Sequence, residues 1–171
     1  MTEVLTDLQY RDFKLADAMQ LVSHLNAREI QRDTTISFPL NLKDAQWWIS
    51  YVNDCAKRSN PTEHHFAIQV DGKLVGSVAL INKVEHRAEL GYWLAKDYWG
   101  QGMMTDAIGH MLEYGVEHMG IHRIFAPVLP HNKASSRVLE KNGFEAGGVL
   151  KDYFYKDGSY INALSYVYLS K

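Results

Sequence analysis

The chain has 171 residues, a single cysteine and a formal net charge of −2, with 46% hydrophobic and 22% charged residues. That length fits one domain over residues 1–171, and the composition is that of an ordinary globule. Direct nucleic-acid binding is disfavoured, because it concentrates Lys and Arg in a stripe. No apolar run approaches the ~20 residues that span a bilayer, and the start, Met1-Thr2-Glu3-Val4, lacks a signal-peptide pattern, so a cytoplasmic protein without membrane partners is expected.

Leu8–Arg11 reads as a short strand. Ala16–Asn26 carries Met19, Leu21, Val22 and Leu25 at helical spacing, with Asp17 in its first turn. Residues 27–40 read as irregular and polar, with Pro39 near the end. Asn41 is an N-cap candidate, with Asp44 three residues on. The helix behind it carries Trp47, Trp48, Tyr51, Val52 and Cys55. Adjacent tryptophans cannot both face a core, so one packs and the other is open to line a cleft. Cys55 is read as a buried or half-buried thiol, with a nucleophile as the sharper alternative.

His64-His65 has no second metal-ligand pair at suitable spacing, so no metal is expected and a solvated strand start is. Phe66–Val70 and Lys73–Ile81 flank Asp71-Gly72, a tight hairpin signal. Ala88–Leu94 is a further strand. Gly100-Gln101-Gly102 opens a helix reaching about His118 and ending near Gly120. Arg123–Val128 is a strand, Lys133–Asn142 a helix stopped by Gly143, and Phe144–Tyr155 with Ser159–Leu169 a hairpin around Asp157-Gly158. This order predicts an α/β fold: a mixed, mostly antiparallel sheet of seven strands with helices on both faces. One parallel crossover joins Ala88–Leu94 to Arg123–Val128, and ligands bind beyond the carboxyl ends of such strands.

The stretch from Tyr92 to Thr105 ends a strand, turns through two glycines and starts a helix. Inward-curled N–H groups and the positive helix end suit a phosphate. A P-loop would need Gly-Lys-Ser/Thr, which is absent, and a dinucleotide fingerprint a third glycine where Thr105 stands. The plain alternative is a tight turn.

Asp97-Tyr98-Trp99-Gly100-Gln101-Gly102 resembles the pyrophosphate loop of the GNAT superfamily of N-acetyltransferases, Gln/Arg-x-x-Gly-x-Gly/Ala, with Asp97 departing at the first position. Ala88 to Leu94, His131-Asn132-Lys133-Ala134-Ser135-Ser136, Glu140 to Phe144 and Lys151 to Gly158 are similar to the branch that acetylates N-terminal alanines of ribosomal proteins. The resemblance covers Phe66 to the C-terminus. It implies acetyl-CoA in a V-shaped gap between splayed parallel strands 4 and 5, here Ala88–Leu94 and Arg123–Val128. Main-chain groups of Trp93 and Leu94 would meet the pantetheine arm and thioester. Trp99, Gly100, Gln101, Gly102, Met103, Met104 and Thr105 would hold the pyrophosphate. Asn132 would contact the arm, with a helix N-cap as the other reading, and Ser135 would donate to the departing thiolate.

By the same resemblance Glu89 matches a catalytic carboxylate and is the first candidate for general base, a structural hydrogen bond being its alternative. Phe154 stands where some relatives carry a catalytic Glu, and Leu139 where many carry an acid Tyr. Ser135 is then left as the acid, with Tyr153 and Tyr155 also open. The reaction implied is direct transfer of acetyl from acetyl-CoA to an amine, favouring a protein N-terminus. A small-amine acetyltransferase acting on a polyamine, and a non-catalytic acyl-CoA-binding module, stay open, as does an oligomer.

Overall fold

The computed structural model describes residues 7–36 and 40–171; Pro39 lies outside the described residues. Seven strands form one sheet: β1 (Leu8–Arg11), β2 (His64–Val70), β3 (Lys73–Val84), β4 (Arg87–Leu94), β5 (Arg123–Val128), β6 (Glu145–Lys156) and β7 (Ser159–Leu169), in the spatial order β1-β2-β3-β4-β5-β7-β6. β4 and β5 are parallel, and the other neighbouring pairs are antiparallel. The Asp-Gly turns form as the sequence requires. Asp71 and Gly72 have φ of 48° and 78°, and Asp157 and Gly158 have 51° and 79°, so both central residues of each turn are left-handed, as hairpin twist demands.

Helices cover both faces: α1 (Ala18–Leu25), α2 (Arg28–Asp33), α3 (Leu42–Ala56), α4 (Met103–Met119) and α5 (Lys133–Lys141). On one face Met103, Ala107, Ile108 and Met111 of α4 bury against Ile68, Val78, Leu80, Leu90 and Ile124. Each such large side chain contributes about 1.5–3 kcal/mol on burial. Gly115 lets α4 sit close, since a Cβ there would stand 2.4 Å from Leu80 Cδ1. α4 ends at Gly120, φ 65°. On the other face Leu21 of α1 and Ala45 and Ile49 of α3 pack with Phe13, Ala67, Leu74 and Trp93. No helix among the described residues is long and apolar enough to cross a membrane.

The structure corrects several local expectations. Residues 27–40 are not wholly irregular, because α2 forms within them around the buried Ile30. Six residues are too few to leave a readable period. Asn41 does cap α3, accepting the Asp44 N–H at 2.9 Å. His64 is no solvated strand start. It is buried with its ring centroid 4.5 Å from Phe66 and 4.4 Å from Tyr114, and burial pushes its pKa down. His65 is half-buried, edge-on to Trp48, with Nε2 3.1 Å from Glu63 Oε2. Trp48 packs on Phe13, whereas Trp47 is exposed and stacks on Tyr51. Cys55 is a fully buried free thiol.

Candidate active site

The parallel pairing of β4 and β5 runs only through Arg87↔Arg123, Ala88↔Ile124 and Glu89↔Phe125. Beyond Glu89 the strands diverge. β5 keeps its other partner, β7, out to Val128↔Leu164, and Pro127 has no N–H to offer any neighbour. Leu90 to Trp93 and Ala126 to Leu129 therefore wall an open wedge. A cleft of about 270 Å³ occupies it, lined by Glu89, Tyr92, Asn132 and Ser135 and, further out, by Asp33 and Phe154. Neither Trp47 nor Trp48 lines it.

Strand alternation divides this cleft between two faces of the sheet. Ala88, Leu90 and Leu94 pack with α4, while Trp93 packs with α1 and α3. Glu89 shares the parity of Trp93, and Tyr92 that of Leu90. The carboxylate thus approaches from the α1–α3 face, and Tyr92 and α5 from the other.

Backbone polarity alternates too. Ala95 N–H donates to Val75 O at 2.8 Å, and His86 O accepts from Arg123 N–H at 3.0 Å, so even-numbered residues of β4 turn their polar groups toward β5. Trp93 consequently gives its main chain to β3, where its carbonyl lies 2.7 Å from the Cβ position of Gly76. Of the two residues read as arm contacts, Leu94 has the parity that turns its N–H toward β5, as Tyr92 does, while Trp93 lines the cleft. The Leu94 carbonyl is already taken by the Trp99 indole N–H at 2.7 Å, which clamps the following loop to the strand.

That loop turns at Gly100, φ 72°, and Gly102, φ 80°. The first helical bond of α4 is Asp106 N–H to Gly102 O. The N–H groups of Met103, Met104 and Thr105 precede it and are the orphan donors of a helix start. The Met103 and Met104 side chains are buried, so these residues can offer a ligand only their backbone. Gln101 donates its side-chain amide to Asp97 O, and Thr105 O accepts from Asn142 Nδ2, both at 3.1 Å. A Cβ at Gly100 or Gly102 would meet nothing within 4 Å, so the space above the loop is open.

Glu89 is half-buried and accepts from Asn82 Nδ2 at 3.2 Å. Burial raises its pKa, and the Asn82 hydrogen bond offsets part of that. Tyr153 lies near enough for the Glu89 charge to add to burial in raising its own pKa. Phe154 lines the cleft, while Tyr155 points to solvent. Asn132 caps α5, its Oδ1 accepting the Ser135 N–H at 3.1 Å. Ser135 Oγ is hydrogen-bonded to the Tyr92 hydroxyl.

Two features escaped the sequence reading: Tyr92, and a set of ties across the mouth of the cleft. Asp33 meets Arg32 at 2.7 Å and His131 at 3.0 Å. Lys156 of β6 inserts its ammonium among the carbonyls of Gln31, Arg32 and Thr34 at the end of α2. The His131 and Lys156 ties join segments more than 95 positions apart, and no local pattern encodes such a pairing.

A seven-stranded mixed sheet that splays between parallel central strands, beside a glycine loop feeding orphan donors, is the arrangement that the resemblance to N-acetyltransferases implies. A profile of the acetyltransferase (GNAT) domain matches residues 7–145, and the chain belongs to this family of N-acetyltransferases. It is 39% identical over 75 residues to the [ribosomal protein uS5]-alanine N-acetyltransferase of Escherichia coli K12, covering 44% of this chain and 39% of that one. It is 30% identical over 105 residues to the spermidine N(1)-acetyltransferase of the same organism, covering 60% and 56%. The chain thus spans little more than half of these relatives at most. The ribosomal-protein-S5-alanine acetyltransferase of Vibrio fischeri superposes with a TM-score of 0.86 at 22% identity, over 95% of this chain and 92% of that one, a likeness of fold.

Proposed function

We propose that this N-acetyltransferase takes acetyl-CoA as donor and a protein N-terminal α-amine as acceptor, by direct attack on the thioester. The observation that carries the reading is the wedge, open beyond Glu89↔Phe125 with Glu89 at its apex. Acetyl-CoA suits it. The pyrophosphate would take the orphan N–H groups of Met103, Met104 and Thr105 over Gly100 and Gly102. Trp99 and Gln101 would shape that loop through their bonds to Leu94 O and Asp97 O. The pantetheine arm would lie along β4 as an added strand, facing the Tyr92 and Leu94 main chain. A main-chain N–H there would stabilise the oxyanion. Asn132 sets the start of α5, and Ser135 would donate to the departing sulfur.

Glu89 receives the proton from the attacking amine. Its raised pKa brings it closer to the working pH, which favours a general base. Charge on the acceptor side argues for one cationic centre. Of the two carboxylates lining the cleft, Asp33 is occupied by Arg32 and His131, which leaves Glu89 without a cationic partner among the described residues. One free carboxylate suits one ammonium group, whereas a polyamine brings several. An α-amine of pKa about 7.7–8.0 also surrenders its proton far more readily than a Lys-like amine near 10.4. Similarity to the uS5-alanine enzyme supports this reading, and similarity to the spermidine enzyme supports the runner-up.

The test is thiol release from acetyl-CoA with a panel of N-terminal-alanine peptides, N-acetylated controls and spermidine. Free-amine peptides are expected to turn over at higher kcat/KM than spermidine. Spermidine ahead of every peptide moves the assignment to small amines, and no release with any acceptor leaves a binding module.

A further inference from the structure

The Tyr92 hydroxyl has no part in the reaction as described so far, yet its position is specific. Tyr92 lies on the splayed half of β4, on the face shared with α4 and α5. Its hydroxyl crosses the wedge to Ser135 Oγ on α5, and both residues line the cleft. Ser135 is pinned from behind, since Asn132 Oδ1 holds its N–H. Position 139, where the family resemblance would set an acid tyrosine, holds a fully buried leucine in the α4 core. A hydroxyl therefore reaches the sulfur side of the wedge from β4, not from the helix position that the resemblance indicates.

We infer that Tyr92 is a positioning residue for the leaving group: its O–H donates to Ser135 Oγ and leaves the Ser135 hydrogen free to point at the departing sulfur. The inference rests on the acetyl-transfer reading. A phenol is the stronger donor of the pair and an aliphatic hydroxyl the better acceptor, which fixes the direction of the bond. Without this donor, the Ser135 hydroxyl is free to rotate its hydrogen away from the sulfur, since a serine hydroxyl turns to suit whichever partner it has.

The step balances without a proton from either hydroxyl. The amine nitrogen forms the C–N bond, the C–S bond breaks and its electron pair goes to sulfur. The proton of the resulting ammonium passes to Glu89. Burial pushes the Tyr92 phenol up to about 12. A thiol titrates near 8.5, about three and a half pKa units lower, so the thiolate cannot strip Tyr92 of its proton to any useful extent. The pair stabilises the thiolate by hydrogen bonding alone.

The experiment is a double-variant cycle on thiol release with saturating peptide acceptor, using Tyr92→Phe, Ser135→Ala and both together. Tyr92→Phe keeps the ring and its packing, and thermal unfolding of each variant reports any structural loss. Tyr92→Phe is expected to lower kcat about tenfold, the effect of one neutral hydrogen bond, with acetyl-CoA KM and melting temperature close to wild type. Ser135→Ala is expected to lower kcat at least as far, and the double variant to be no slower than Ser135→Ala. A Tyr92→Phe enzyme with wild-type kcat overturns the inference. So do deficits that multiply in the double variant, because the two hydroxyls then act independently, and so does a deficit explained by a raised acetyl-CoA KM. A wild type that releases no thiol overturns the acetyl-transfer reading itself and is detected before any variant is compared.

Discussion

On the proposed mechanism Glu89 is the general base, and its burial would then give it two opposed pH signatures. Because the folded state raises its pKa, its contribution to stability is full below the ordinary carboxylate pKa of about 4.3 and is lost as pH rises through the folded value. Activity runs the other way, since a base must be ionised to accept a proton. Glu89→Gln is therefore expected to melt no lower than wild type at neutral pH while losing turnover. A positioned base is typically worth 10²–10⁴-fold, and the lower end is expected here because an α-amine is partly neutral already. Measured across pH 6 to 9, a window of about one to two units on either side of the α-amino pKa, the kcat/KM deficit should narrow as the amine deprotonates itself. A constant deficit at every pH would make Glu89 a binding or strand-geometry residue. The place of Glu89 in the cleft was legible because its strand motif resembles a family strand. Tyr92 was not, although it lies three residues away, because its partner sits on α5 and only the crossing of the wedge brings the two together.

At the scale of elements, the loop before α4 and the short helix α2 make separate demands. Gly102 has φ 80° and open space at its Cβ position, so a side chain there strains the backbone without striking a neighbour. The left-handed conformation costs a residue about 1–2 kcal/mol. Gly102→Ala bears most of that cost, and Gly102→Val adds branched bulk where the phosphates would lie. Gly102→Val is expected to bind acetyl-CoA at least tenfold more weakly than Gly102→Ala, at comparable melting temperature; equal affinities in titration calorimetry would reject the cradle. α2 depends on Lys156, whose ammonium satisfies the carbonyls at its C-terminal end. Lys156→Met should cost about 1–2 kcal/mol of local stability, given that bonds from a charged donor are worth ~1.5–3 kcal/mol. Faster hydrogen exchange over residues 28–36 and a higher acceptor KM, with acetyl-CoA KM unchanged, are the expected readouts. Unchanged exchange there would show that α2 stands without the latch. The Asp-Gly hairpins and the α4 start were readable because turn chemistry is local. α2 and its latch were not, because six residues carry no period and Lys156 meets them from 122 to 125 positions away.

For the molecule as a whole, the sheet parts between β4 and β5 beyond Glu89, and both cores are packed against that fault from opposite faces. The mixed topology followed from element order and two hairpin signals. The depth of the fault did not, since where a parallel pairing stops depends on β7 holding β5 while β3 holds β4. A wedge built in this way is a stable vacancy in the backbone ladder, and a donor that completes it should stabilise the entire fold. The most direct measurement is thermal unfolding with and without acetyl-CoA. At 100 times its dissociation constant a ligand adds about 2.7 kcal/mol. For a domain of this size each kcal/mol raises the melting temperature by about 2–4 °C, so a rise of about 5–11 °C is expected. A melting temperature unmoved by saturating acetyl-CoA would contradict the account, because the wedge between β4 and β5 would then not be the donor site.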